Sequence, residues 1–272
     1  MTFKENDLPA LAIKVVLITL FAFAVFGPIA NMLLWAFAEV WYFPHKLPLE
    51  WGFHFWERVF RPQGNAMSSL WTSIGIALCT VVASLSIAIP AGYALGRGNL
   101  PCRILFLLLF LLPQAFPSVA VHMNIAQIFY GLGLNGTVFG VVLVHTLQGL
   151  VFSVWIATAS FSAVDGELEL AARNMGASPF LTFRTVTLPL ALPGILASAI
   201  FVFLISLDEF TGTFFVGVPD ITTMPLLLFT ASMEGNYQIA SITALILLIP
   251  SIGFMLVIEK FLKADVLARV GY

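Results

Sequence analysis

The sequence predicts an all-α membrane protein with six transmembrane helices. Of its 272 residues, 60% are hydrophobic and only 10% are charged, whereas about 25% of residues are charged in an ordinary soluble domain. The mean hydropathy is +1.00. A chain this apolar needs lipid and neighbouring helices around it, because water does not solvate so much apolar surface.

Six stretches are long enough to cross a bilayer, which takes about 20 apolar residues in a helix. We expect spans at about 15–38, 68–95, 104–126, 137–162, 191–217 and 238–262. The segments between them are too short for a soluble domain, so residues 1–272 are predicted to form one transmembrane domain. The apolar run 15–37 exceeds the about 7–15 residues of a secretory signal, and we expect it to be retained as the first span.

Basic residues predict the orientation. With the N-terminus in the cytoplasm, nine Lys and Arg residues fall in inner segments and three in outer segments, as the positive-inside rule requires. An even number of spans then places both termini inside. The outer segment 39–67 is rich in aromatic residues, which favours an anchor at the lipid headgroups. The alternative is a docking surface for an external partner.

Several familiar motifs are absent or out of context. The G-x-G-x-x-G pattern at Gly131–Gly136 joins two spans, where a tight turn is expected rather than a nucleotide site. The chain has no G-K-[ST] phosphate-binding loop, no G-x-S-x-G nucleophile and no metal-ligand cluster. His122 and His145 are isolated, so we expect hydrogen-bonded packing residues. A net charge of −2 gives no reason to expect nucleic acid as a partner.

Proline and glycine interrupt several spans, including Pro113 and Pro117 in the third. A broken helix frees backbone groups that need a polar cavity, so such breaks can line a solute path.

Residues 164–189, between the fourth and fifth spans, are predicted to form a water-facing insert. Several of its residues indicate its local structure. Asp165 suits a helix N-cap, and Gly176 suits the left-handed position after the last turn. Between them, one apolar face is expected from the spacing of Leu168, Ala171, Ala172 and Met175. Ser178 and Pro179 are then predicted to start a second short helix. Pro189 and Pro193 are expected to close it before the next span.

The same insert carries a resemblance. "LAARNMG", followed ten residues after Gly176 by "VTLP", is similar to the EAA motif of ABC importer permeases: E-A-A, three residues, G, nine residues, I-x-L-P. Leu170 stands at the position of the motif glutamate, and Glu169 precedes it. In that family the loop is the coupling helix, which fits a cleft in the cytoplasmic ATPase subunit.

The resemblance implies an ATPase-docking loop made of Glu169, Ala171, Ala172, Arg173, Gly176, Ser178, Pro179, Leu188 and Pro189. Glu169 is expected to take over the role of the displaced glutamate. The alternative is that Glu169 only favours the helix N-terminus through the helix dipole, an effect of about 0.3–1 kcal/mol.

A second block, "SLDEFTGTFFVGVPDITTMPLLLF", resembles the permeases of spermidine and putrescine importers. It contains Asp208 and Glu209, two carboxylates inside a predicted span. An intramembrane carboxylate is costly and normally faces a cavity or a partner, so both are candidates for the solute path. The structural alternative is a bond to another helix or a place at the outer end of the span.

The resemblance as a whole implies the fold of a type I ABC importer permease in the inner membrane of a bacterium. The implied partners are two ATPase subunits, a second permease on a different chain, an external solute-binding protein and membrane lipid. ATP and magnesium would bind the ATPase subunits, and this chain would have no cofactor and no catalytic residue. The predicted solute is a polyamine, with an amino-phosphonate or other organic cation as the alternative.

Two other classes of function compete with this prediction. An ion-coupled secondary transporter could use Asp208 and Glu209 for coupling, but it would be favoured by inverted repeats, and none is visible. A membrane enzyme would need a nucleophile with its catalytic partners, or a set of metal ligands, and we find neither in the sequence.

Overall fold

The computed structural model describes residues 8–270, which contain twelve α-helices and one small sheet. The long helices are α1 Leu8–Phe37, α3 Ala66–Arg97, α6 Val138–Ser162, α9 Leu188–Asp208 and α12 Tyr237–Val270. The shorter ones are α2 His54–Phe60, α4 Arg103–Leu111, α5 Ser118–Leu132, α7 Gly166–Asn174, α8 Pro179–Thr182, α10 Thr211–Val216 and α11 Met224–Met233. Strands β1 Ala38–Val40 and β2 Glu50–Trp51 pair antiparallel.

The predicted all-α membrane fold is confirmed. In the described part of the chain, five helical segments are long and apolar enough to span a membrane, and a bent pair brings the number to six. The long helices α1, α3, α6 and α12 overlap the predicted first, second, fourth and sixth spans. The cytoplasmic placement of both termini stays a prediction.

The core of the bundle is the contact between α3 and α6. A Cβ atom added at Gly92 would lie 2.6 Å from the Ala157 Cβ, and one added at Gly96 would lie 2.8 Å from the Thr158 carbonyl oxygen. Gly92 and Gly96 are four residues apart and therefore share one face of α3. Small residues with this spacing let membrane helices approach closely and gain dispersion energy. Helix α9 packs against both helices through Ala191 and Ile195.

The third predicted span, 104–126, is not one straight helix. It consists of α4 with a 3₁₀ turn, Leu112–Ala115, and then α5, and the two parts meet at an angle of 96°. Pro117 has no N–H group and disfavours helical geometry in the residue before it. Phe116 is accordingly extended, with φ −110° and ψ 151°. The proline that marked a possible break therefore produces a sharp bend.

The fifth span also differs from the prediction of 191–217. One apolar segment runs from Pro179 to Asp208, so it begins and ends earlier than expected. The expectation that Pro189 and Pro193 end the short helix α8 is wrong. A π-helical turn, Phe183–Thr187, joins α8 to α9, Pro189 lies in the first turn of α9, and Pro193 lies inside it. The wider π-helical turn accommodates a stretch of backbone whose groups could not all form the hydrogen bonds of an ideal α-helix.

At the other end of α9, the chain leaves helical geometry at Glu209, which has φ −78° and ψ 112°. The Glu209 side chain accepts a hydrogen bond from the Gly212 N–H, at 2.6 Å from Oε1. This bond satisfies one of the free N–H groups at the start of α10. A separate helix therefore replaces the predicted continuation of the span to 217.

The segment before α3 folds against the nearby ends of α1 and α12. Trp56 donates to the Ala36 carbonyl at 2.8 Å. The Trp35 ring stacks on Trp41 with ring centroids 4.2 Å apart, and it also contacts Tyr237 at 5.2 Å. The aromatic residues thus form packed groups, and both predicted roles for this segment, anchor or docking surface, stay predictions.

The close α3–α6 contact generates a stability prediction. Gly92→Val should lower the free energy of unfolding by about 1–3 kcal/mol, because the new side chain overpacks the interface. Gly75→Val is the matched control, since Gly75 lies in the same helix and an added Cβ there would meet nothing within 4 Å. Thermal unfolding in detergent should show a lower melting temperature for the first variant than for the second. Equal melting temperatures would contradict the packing argument.

Candidate ATPase-docking surface and solute path

The insert between α6 and α9 has the predicted local structure. Asp165 accepts a hydrogen bond from the Glu167 N–H at 2.9 Å and thereby caps α7. Gly176 has φ +90°, a conformation that glycine adopts without steric cost. Ser178 accepts from the Leu181 N–H at 3.3 Å, and Pro179 is the first residue of α8. The predicted helix–turn–helix is therefore confirmed.

The insert carries four exposed, large apolar side chains. Leu168, Met175 and Phe180 are 48%, 82% and 73% exposed, and Leu170 is 59% exposed. We call these four side chains the docking surface. Large apolar side chains left exposed on a segment that is predicted to face water can mark an interaction site. The departure from the EAA motif at position 170 adds an exposed leucine to this surface.

The residues predicted to dock an ATPase fall into two groups. The exposed group consists of Ala171, Arg173, Gly176, Ser178 and Pro179. Those turned inward or partly buried are Glu169, Ala172, Leu188 and Pro189. Leu188 packs against the core between α3, α6 and α9, and Ala172 is only 6% exposed. The predicted apolar face is thus divided, with Ala172 pointing into the protein.

Glu169 has a partner inside the chain. Its Oε2 lies 2.7 Å from Arg97 Nη2, and its Oε1 accepts a hydrogen bond from the Thr187 hydroxyl at 2.6 Å. Arg97 also donates to the Val164 carbonyl at 2.7 Å. No local pattern in the sequence links Glu169 to Arg97 or Thr187, which are 72 and 18 residues away in the chain, so neither partner was predicted.

The environment of Glu169 favours its charged form. Burial alone would raise the pKa of this carboxyl, but the hydrogen bonds from Arg97 and Thr187, with the nearby charge of Arg173, lower it below its usual value. A lowered pKa stabilises the fold at pH values above the pKa of the unfolded chain. That contribution is lost as the pH falls through the folded-state pKa, so the ion pair is intact at neutral pH.

The two candidate path carboxylates have different surroundings. Asp208 is the last residue of α9 and is exposed. Glu209 is 9% exposed, bonds to Gly212 and lies 3.9 Å from His122 Nδ1, measured from Oε1. The two neighbouring carboxylates therefore do not line one surface. Asp208 stands at the end of the helix, which is the end-of-span position that the structural alternative named.

A polar cluster surrounds Glu209 at the bend between α4 and α5. His122 Nε2 lies 3.1 Å from Gln148 Nε2 of α6. Both side chains line a cavity of about 240 Å³, together with Pro113, Gln114, Phe116, Ser118, Val121, Ile125 and Leu147. The cavity therefore opens where the proline bend interrupts the third span, and its wall mixes amide, hydroxyl and imidazole groups with apolar side chains.

His145 completes a second polar contact between helices. Its Nδ1 lies 2.8 Å from Ser206 Oγ of α9, and its Nε2 lies 3.0 Å from Thr213 Oγ1 of α10. The ring is 1% exposed. His145 is therefore a hydrogen-bonded packing residue, as expected. His122 shares that property but also faces the cavity, which its isolated position in the sequence did not indicate.

The similarity of the chain to known proteins decides its family. Residues 88–266 match the family described as the binding-protein-dependent transport system inner membrane component. The chain belongs to this family. Its members are membrane permease subunits of ABC importers, in which ATP is hydrolysed by a separate subunit.

Curated relatives carry different solutes in their names. The putative 2-aminoethylphosphonate transport system permease protein PhnV of Salmonella typhimurium is 27% identical over 254 residues, which are 93% of this chain and 94% of that protein. The trehalose transport system permease protein SugB of Mycobacterium tuberculosis is 31% identical over 202 residues, 72% of this chain and 74% of that protein.

Among solved structures, the chain resembles a bacterial ABC transporter involved in the import of the acidic polysaccharide alginate. The TM-score is 0.71 at 18% sequence identity, with 96% of this chain and 99% of that chain covered. This similarity agrees with the type I importer fold. The family works with an ATPase, a second permease and a periplasmic binding protein. Family membership thus argues against the secondary transporter and the membrane enzyme.

The turn at Gly176 generates the first prediction for this site. Gly176→Val should reduce co-purification of the ATPase subunit about tenfold, because a β-branched residue at positive φ costs of order 1–3 kcal/mol and displaces α7 from α8. An added Cβ would meet nothing within 4 Å, so backbone strain is the only direct effect.

Gly235→Val is the matched control for that strain. Gly235 has φ +77° and equal open space, but it lies in the turn before α12, at the opposite end of the bundle. It should leave ATPase co-purification unchanged. Full transport by Gly176→Val at normal expression would count against the docking assignment.

Proposed function

We propose that this permease subunit docks its ATPase through the insert and passes a small solute that carries an ammonium group, with a polyamine such as spermidine or putrescine as the first candidate. The observation that carries the solute class is the exposed carboxylate of Asp208 at the end of α9, one residue before Glu209, which lies near His122. A carboxylate in this position would attract an amine as it leaves the binding protein.

The docking half of the proposal is supported by the shape of the insert. An ATPase cleft would receive α7, which carries exposed apolar side chains and is fixed to the bundle through Ala172 and Glu169. We infer two ATPase subunits, one beneath each permease, and a second permease on a different chain. ATP and magnesium would bind the ATPase subunits.

A second solute is favoured by one observation. The 2-aminoethylphosphonate permease is similar to this chain over nearly its whole length. That compound also carries an ammonium group, so the attraction to Asp208 would be shared, but its phosphonate is anionic and would be repelled by the same carboxylate. A polyamine bears only positive charges, so its attraction to the exposed Asp208 would not be offset in this way.

The solute is tested by transport. The complete complex, with its own binding protein and ATPase, would be reconstituted in proteoliposomes and supplied with labelled putrescine, spermidine, 2-aminoethylphosphonate or trehalose. We expect ATP-dependent uptake of a polyamine. Uptake of 2-aminoethylphosphonate alone would select the second candidate, and uptake of trehalose alone would contradict the ammonium class.

The path is tested at Asp208. Asp208→Asn should reduce uptake of a cationic solute about tenfold or more, since a charged hydrogen bond is worth about 1.5–3 kcal/mol. Complex assembly and basal ATP hydrolysis should not change. Glu234→Gln is the control, because Glu234 is also an exposed carboxylate and follows α11. Equal uptake by Asp208→Asn and the parent protein would show that Asp208 does not act in the solute path. Failure of the variant to assemble would show that Asp208 is a structural residue.

A further inference from the structure

The strongest polar contact outside the solute path lies where α3 meets the insert. Arg97 is the last residue of α3, and its guanidinium group makes three contacts with the insert. Nη2 lies 2.7 Å from Glu169 Oε2, Nε lies 3.3 Å from Glu169 Oε1, and Nη1 donates to the Val164 carbonyl at 2.7 Å. A planar guanidinium that binds a carboxylate through two nitrogens fixes orientation as well as distance.

The carboxylate of Glu169 extends this contact to a third segment. Its Oε1 accepts the Thr187 hydroxyl at 2.6 Å. Thr187 is fully buried in the π-helical turn that leads into α9. One side chain on α7 is therefore held by the end of α3 and by the beginning of the fifth span at the same time.

Few other groups hold α7 in place. The helix has nine residues, and in the described structure only Ala172 among them is buried. The side chains of Arg97 and Glu169 are 17% and 13% exposed, so the pair is shielded from water and screened less than a surface pair. Removing one partner would leave the other with a poorly solvated charge.

We propose that Arg97, Glu169 and Thr187 act as positioning residues that lock α7 to α3 and α9, so that a displacement of the docked ATPase moves all three helices together. We call these three side chains the clamp. The inference rests on the proposed docking of α7 and gives Glu169 a role different from direct contact with the ATPase. A short helix without the clamp would tilt on the bundle when pushed, and the movement would not reach the spans.

The clamp has a specific consequence for coupling. A residue that merely stabilised the fold would lower the yield and melting temperature of the subunit while leaving the number of solute molecules moved per ATP unchanged. A positioning residue would lower that ratio in complexes that are correctly assembled. Transport per ATP hydrolysed is therefore the readout that separates the two roles.

The experiment uses the complete complex in proteoliposomes, with the variants Glu169→Gln, Arg97→Gln and the charge exchange Arg97→Glu with Glu169→Arg. We expect each single variant to lower transport per ATP about fivefold or more while the ATPase subunit still co-purifies. The charge exchange should restore part of the ratio. Glu167→Gln is the matched control, because Glu167 is an exposed carboxylate in the same first turn of α7 and shares its helix-dipole effect.

A milder variant covers the case in which the charged substitutions fail to fold. Thr187→Val keeps the shape of the side chain and removes only one hydrogen bond to Glu169, so transport per ATP should fall about twofold. An unchanged ratio in both Thr187→Val and Glu169→Gln would overturn the clamp. Loss of ATPase co-purification in Glu169→Gln but not in Arg97→Gln would also overturn it, since Glu169 would then contact the ATPase directly.

Docking itself is measured separately by a cross-link from Met175→Cys to the ATPase, in a chain whose exposed Cys79 and Cys102 are replaced by serine. Absence of the cross-link with the clamp intact would overturn the docking proposal, and the clamp with it. A cross-link that persists while Glu169→Gln and Thr187→Val both leave transport per ATP unchanged would overturn the clamp alone.

Discussion

Close contact between α3 and α6 determines where the functional parts of this permease lie. Gly92 and Gly96 bring α3 against Ala157 and Thr158 of α6, with no room for another side chain. The same approach places the ends of the two helices side by side. Ser162 Oγ donates to the Gly96 carbonyl at 3.3 Å, and Arg97 reaches the Val164 carbonyl just beyond α6. The insert begins at that point, so its position follows directly from the packing inside the membrane.

A second constraint is that polar groups within the membrane need partners. His145 meets this need by bonding α6 to α9 and α10, and Glu209 meets it by capping α10. The partners of these two side chains lie near the end of α9 and in α10. Asp208 is the residue proposed to line the solute path, and its neighbour Glu209 bonds to Gly212 where α9 ends. The two carboxylates therefore have different tasks and differ in exposure.

Local signals in the sequence were sufficient for local structure. Asp165, Gly176 and Ser178 act within four residues of their own position, and each has the predicted role. The bend in the third span was only indicated, because a proline shows where a helix can break but not the angle that its neighbours impose. The predicted role of Pro189 and Pro193 as the end of a helix is wrong, because a π-helical turn lets the helical segment continue through both prolines. The ion-pair partner of Glu169 could not be predicted from the sequence, because Arg97 is 72 residues away in the chain.

The docking surface has a consequence for the cell that makes this protein. The isolated chain exposes Met175, Phe180 and two leucines, and exposed apolar side chains promote association with the wrong partners. Chaperones and proteases recognise such surfaces, so unassembled copies would be removed while complete complexes are spared. The residues proposed to recruit the ATPase would in this way also adjust the amount of permease to the amount of ATPase, without any dedicated regulator.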